Sequence, residues 1–76
     1  MQRIIRRFLD RIVERVEDAR PRRVIDLGCG EGMVARELSR LPFEVEYRGL
    51  EIDPRAVEIA RREVPGRSFE QADILE

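Results

Sequence analysis

Apolar residues recur at Ile4, Ile5, Phe8, Leu9, Ile12, Val13 and Val16, a three-and-four spacing that gathers them on one stripe of a helix with charge opposite. Pro21 disfavours helical geometry at Arg20, so this helix is predicted over residues 3–19. The pattern then changes. Val24 to Leu27 is a short, mostly apolar run ended by glycine, as expected of a strand buried on both faces. A second helix is predicted from Glu31 to Leu41, with Val34, Ala35, Leu38 and Leu41 inward and Pro42 at its end. Residues 45–50, VEYRGL, have the β-branched and aromatic content of a second strand. Asp53 before Pro54 is a strong helix start, since the carboxylate accepts from free backbone N–H groups and proline suits the first helical position. Val57, Ala60 and Val64 give that third helix its buried side, Pro65 and Gly66 close it, and a third strand runs from Ser68 to Ala72.

Helix and strand thus alternate, first as a helix over 3–19 and then as βαβαβ over 23–73. Such alternation argues for an α/β fold of parallel strands joined by right-handed crossovers. Crossovers advancing in one direction place the strands in the order 3-2-1, half of a doubly wound, three-layer Rossmann-like domain with flanking helices. At 76 residues the chain is one small domain.

Charge changes the picture locally rather than globally. The net charge is -1, which selects neither nucleic acid nor membrane by its overall field. Residues 1–23 carry eight arginines against four acids, and residues 24–76 carry seven against twelve. Arg3, Arg6, Arg7, Arg11 and Arg15 form a basic series that could contact RNA; interspersed acids and the lack of neighbouring aromatics favour an ordinary solvated helix face. No apolar run reaches the roughly 18 residues of a membrane span. A single Cys29 cannot close an internal disulfide, and a reducing cytoplasm fits best.

The chemistry concentrates in VIDLGCGEG, residues 24–32. A strand that ends in glycines and opens a helix lets a ligand approach bare backbone. The glycines stand at Gly28, Gly30 and Gly32, one residue tighter than the dinucleotide fingerprint. Asp26 and Glu31 bracket the turn, and no basic residue lies between Val24 and Ala35. A pyrophosphate would face two carboxylates, so the loop suits a nucleoside that carries positive charge and no phosphate. That disfavours a nicotinamide or flavin dinucleotide. Glu51 follows Gly32 by 19 residues, close to the spacing of an acid that accepts from ribose hydroxyls. Ile52 could lie against a purine face, and Asp73, ending the third strand, could accept from an exocyclic amine.

DLGCGEG, GLEID and QADIL together resemble motifs one to three of the class I S-adenosylmethionine-dependent methyltransferases, over residues 24–75. The resemblance implies that Asp26 and the backbone of Gly28, Cys29, Gly30 and Gly32 hold the methionine end of the cofactor, whose ammonium accounts for an acidic loop. It implies that Glu51 binds ribose, that Ile52 packs on adenine, and that Asp73 with the Ile74 backbone reads the adenine edge. Members of this family usually continue through further strands that carry the acceptor site. The chain is therefore expected to be the truncated, cofactor-binding N-terminal half, with no catalytic residue to nominate and no metal implied. Two readings stay open: a unit that binds S-adenosylmethionine or S-adenosylhomocysteine for transfer to an unidentified acceptor, or a non-catalytic structural fragment. In the second, the open sheet edge assembles with another copy or with a C-terminal half. Cys29 reads as a small loop residue whose thiolate the neighbouring carboxylates oppose.

Overall fold

The computed structural model describes residues 2–75. Its elements are α1 (Arg3–Ala19), β1 (Arg23–Leu27), α2 (Met33–Leu38), β2 (Glu46–Glu51), α3 (Pro54–Glu63) and β3 (Ser68–Gln71). The strands are parallel in the order β1-β2-β3, with Asp26 level with Gly49 and Gly49 level with Phe69. This is the expected α/β arrangement of an open parallel sheet.

All three helices pack on one face. Val16 of α1, Ala35 and Leu38 of α2 and Val57 and Ala60 of α3 join Tyr47 and Phe69 of the sheet in a single core. Tyr47 and Phe69 meet edge to face, their ring centroids 5.7 Å apart. The described residues therefore make two layers, and the third expected layer is not among them. Its absence explains a second departure. The strand β1, expected to be buried on both faces, alternates instead, and Ile25 and Leu27 are each 60% exposed on the open face. Arg23 pairs with Glu46 at 3.0 Å and Arg48 with Glu70 at 2.9 Å across neighbouring strands of that same face.

The apolar stripe of α1 is also wider than its buried strip. Leu9 and Val16 are buried, whereas Ile4 and Phe8 are 73% and 57% exposed. The helix ends in a left-handed residue, Arg20 (φ 44°), whose N–H bonds the Val16 carbonyl and whose guanidinium stacks 4.5 Å from the Phe43 ring centroid.

The expected helix over 31–41 contracts to Met33–Leu38. Gly32, at φ 93°, cannot begin it earlier, and the Ser39 hydroxyl donates back to the Ala35 carbonyl at 2.9 Å, competing with continuation. The chain then tightens through i→i+3 bonds from Arg40 and Leu41. By contrast α3 starts as expected: Asp53 Oδ1 accepts from the Arg55 N–H at 3.0 Å, with Pro54 at the first helical position.

Arg6 ties α1 to α2 by donating to Glu37 Oε1 at 2.8 Å while also bonding Asp10. That hydrogen bond holds the Glu37 carboxyl below its ordinary value, against the opposing effect of burial. A carboxyl with a folded-state pKa below its unfolded value stabilises the fold above the unfolded pKa, and the contribution is lost as pH falls through the folded pKa. Denaturation midpoints measured from pH 6 down to pH 3, a range chosen to span the ordinary carboxylate value of about 4.3, should fall with pH. The Glu37→Gln protein should show a shallower fall; an unchanged profile would remove the ion pair from the account.

Candidate cofactor site

The site is built at the carboxyl ends of the strands, where a parallel sheet leaves room for a ligand. The turn after β1 is pinned to β2 by three amide donors. Gly28 N–H and Cys29 N–H both donate to the Leu50 carbonyl, at 2.8 and 3.1 Å, and Gly30 N–H donates to Glu51 Oε1 at 2.8 Å. Gly28 and Gly30 have φ of 76° and 55°, and a Cβ on either would point into open space. They keep the turn left-handed and its outer surface bare.

Gly32 does something different. Although grouped with the binding glycines in the sequence, it is buried, and a Cβ there would lie 3.2 Å from Val64 Cγ2 and 3.4 Å from Ala60 Cβ and Phe69 Cζ. Close packing against α3 and the sheet accounts for this glycine.

Glu51 is the hub. Its Oε1 accepts from Gly30 and its Oε2 accepts from the Asp53 N–H at 3.1 Å, so one carboxylate joins the turn after β1 to the turn after β2. Each carboxylate oxygen keeps a further lone pair for an incoming hydroxyl. Beside it Ile52 is 59% exposed. The Ile52 carbonyl accepts from Gln71 Nε2 at 3.2 Å, and the Glu51 carbonyl accepts from the Ala72 N–H at 3.0 Å. These bonds carry β3 up to Asp73, whose Oδ1 accepts from the Leu75 N–H at 3.0 Å in a local turn.

Gly28, Leu50, Glu51, Ile52, Ala72, Asp73, Ile74 and Leu75 line a hollow of about 200 Å³. It thus gathers Gly28, Glu51, Ile52, Asp73 and Ile74 from the residues singled out in the sequence. Its volume is below the roughly 300–1,000 Å³ of sites that enclose a small molecule, and it is open to solvent. A hollow of similar size, about 210 Å³, lies among Arg23, Ile25, Glu46, Arg48 and Ser68 on the open sheet face. It is walled by paired charges and lacks the glycine turn.

Beneath the turn lie contacts that reading the sequence missed. The Tyr47 hydroxyl donates to Asp26 Oδ2 at 2.8 Å. Burial, followed by the bond to Asp26, raises the Tyr47 phenol well above its ordinary value, so it remains a donor. Gly49 leaves the space for this arrangement: a Cβ there would sit 2.8 Å from both Cys29 Sγ and the Tyr47 hydroxyl. A glycine inside the β-rich string VEYRGL was the available signal of such close approach. Cys29 is buried, and burial raises its thiol pKa, with Asp26 and Glu51 adding to the effect. The sequence pointed to Glu31 as the second opposing acid; Glu51 holds that place, because the turn folds onto β2 and Glu31 faces solvent.

With the glycine turn, Glu51 and Asp73 placed around one hollow at the carboxyl edge of the sheet, comparison with known proteins decides the family. A methyltransferase-domain sequence family matches residues 1–76. The chain belongs to the S-adenosylmethionine-dependent methyltransferases. It is 45% identical over 63 residues to trans-aconitate 2-methyltransferase of Methylobacterium nodulans, covering 83% of this chain and 24% of that protein. It is 39% identical over 62 residues to malonyl-[acyl-carrier protein] O-methyltransferase of Halorhodospira halophila, covering 79% of this chain and 21% of the relative. The chain therefore spans less than a quarter of the length of these two relatives. Among solved structures, the S-adenosylmethionine-bound amino pentose methyltransferase CalS10 of Micromonospora echinaspora superposes with a TM-score of 0.69 at 31% identity, over 86% of this chain and 28% of that one. The Thermoplasma acidophilum 1320 protein superposes with a TM-score of 0.75 at 29% identity, over 91% of this chain and 40% of that one.

The double role of Glu51 makes the methyltransferase turn depend on it. In the Glu51→Ala protein the Gly30 and Asp53 amides should exchange with solvent faster, with a loss of stability of about 1–2 kcal/mol. Hydrogen exchange read residue by residue checks this, and unchanged protection at Gly30 would contradict the contact.

Proposed function

We propose that the chain binds S-adenosylmethionine and S-adenosylhomocysteine across the ends of β1, β2 and β3, and serves methyl transfer to an acceptor held outside residues 2–75. The observation that carries this reading is the acidic rim. Asp26 and Glu51, at the carboxyl ends of β1 and β2, and Asp73, two residues beyond β3, stand at one edge of the sheet with a bare glycine turn, and no basic residue lies from Val24 to Ala35. A ligand with an ammonium, a sulfonium and a ribose matches those acids; a pyrophosphate does not. Asp26 holds the ammonium, Glu51 accepts from the ribose hydroxyls, Ile52 covers an adenine face, and Asp73 with the Ile74 backbone reads the adenine edge. Because the N–H groups of Gly28, Cys29 and Gly30 already bond β2, these residues act by close backbone approach rather than as free donors. The cofactor supplies an activated methyl group. What this chain adds is orientation, from which much of the rate of such a transfer derives. With a single buried, protonated Cys29, a reducing cytoplasm suits the protein. No described helix is long and apolar enough to cross a membrane. Within the basic series of α1, Arg6 is committed to Asp10 and Glu37, which lessens the case for RNA.

Calorimetric titration of the chain with S-adenosylhomocysteine should give saturable binding, and titration with NADH should give none. A chain folded by circular dichroism that bound neither, or that bound NADH, would overturn this reading.

A specific contrast between the two sheet edges favours a second reading, assembly. On the outer side of β3, Arg61 donates through Nε and Nη2 to the Phe69 carbonyl at 3.2 and 2.8 Å, capping one carbonyl of that edge. The outer side of β1 carries no strand among the described residues, and Ile25 and Leu27 lie exposed on its open face. Pairing along β1, with a second copy or with a C-terminal half, would cover both. Sedimentation of the chain alone should show association at high concentration; a strictly monomeric species would exclude self-assembly and leave only the heterologous form.

A further inference from the structure

Resting on the cofactor reading above, we infer that Tyr47 is a positioning residue: its hydroxyl fixes one oxygen of Asp26 so that the other faces the amino-acid end of the ligand. The Tyr47 hydroxyl donates to Asp26 Oδ2 at 2.8 Å, and Asp26 Oδ1 makes no hydrogen bond among the described residues. The carboxylate is thereby held in one rotamer with one oxygen committed and one available. The Tyr47 ring cannot shift to release it. The ring is buried, meets Phe69 edge to face, and its hydroxyl sits in the space left by Gly49 beside Cys29. Arg67 stands 6.0 Å from the ring centroid, held there by its 2.6 Å bond to the Val45 carbonyl. Of the three acids at this edge of the sheet, Glu51 is oriented by two backbone amides and Asp73 by one; Asp26 alone is oriented by a side chain from the neighbouring strand. An acid held by a side chain can be released by a single-atom deletion that leaves the backbone of the glycine turn in place.

A ligand that lacks the amino-acid end separates this role from a general loosening of the site. The chain and its Tyr47→Phe variant are titrated with S-adenosylhomocysteine and with 5′-methylthioadenosine, which keeps adenine, ribose and sulfur but has no ammonium or carboxylate. The variant should lose about tenfold in affinity for S-adenosylhomocysteine and less than about twofold for 5′-methylthioadenosine, the scale of one hydrogen bond to a charged group. In an Asp26→Asn background the same substitution should cost nothing further, because the two residues act as one unit. Equal losses for both ligands, no loss for the first, or additive losses in the double variant would overturn the inference while leaving the cofactor reading intact. Failure of the unsubstituted chain to bind either ligand would instead overturn both. If Tyr47→Phe does not fold, the unsubstituted chain still answers. The Tyr47 hydroxyl proton resonance should move on adding S-adenosylhomocysteine but not 5′-methylthioadenosine, and an unmoved resonance, or one moved equally by both, would overturn the role.

Discussion

The glycine turn is clamped to the middle strand by donors from three successive residues, Gly28, Cys29 and Gly30, which end on the Leu50 carbonyl and the Glu51 carboxylate. The rest of the site depends on that clamp. It brings Cys29 down onto Gly49, sets Gly32 against α3, and leaves the outer surface of Gly28 and Gly30 bare. Because the same Glu51 carboxylate also takes the Asp53 amide, the starts of α2 and α3 are positioned by a shared acceptor. The side chain proposed to accept from ribose is therefore already part of the loop architecture, and a charged acceptor suits that structural task because charge-assisted bonds to backbone N–H are the stronger ones.

Under the turn, burial and charge act together on two groups that could otherwise ionise. Tyr47 stays protonated because ionising it would place a buried phenolate against Asp26, and Cys29 stays a thiol for the same kind of reason. A site with negative charge on its rim and two suppressed anions beneath it is suited to hold a cation without becoming a nucleophile. That is the electrostatic demand of a ligand that carries an ammonium and a sulfonium.

Much of the fold was legible because its signals are local. The 3.6-residue period of α1, the Asp53–Pro54 start of α3 and the glycine after Leu27 each act within one turn of chain, and each appears where it was expected. The departures come from the packing that surrounds these elements. Ile4, Phe8, Ile25 and Leu27 are apolar in the pattern yet exposed, because a periodic stripe records which positions can be buried and says nothing of whether a neighbour lies over them. The second helix is shorter than its apolar spacing because Ser39 back-bonding and the left-handed Gly32 are stereochemical limits that hydrophobic periodicity does not register.

By itself the sequence determined the alternation of helix and strand, the parallel order of the strands, and the family to which DLGCGEG, GLEID and QADIL point, since motif spacing and period are properties of the linear chain. Only the tertiary structure decided which contacts each motif residue makes. It separated Gly32, required for packing, from Gly28 and Gly30, which keep the turn's surface open. It gave Glu51 the work of holding two turns together, and it put Tyr47 in contact with Asp26 from 21 residues away. The physical reason is common to all of these. A hydrogen bond or a close contact between neighbouring strands depends on register, and register is set when the sheet and its helices pack together.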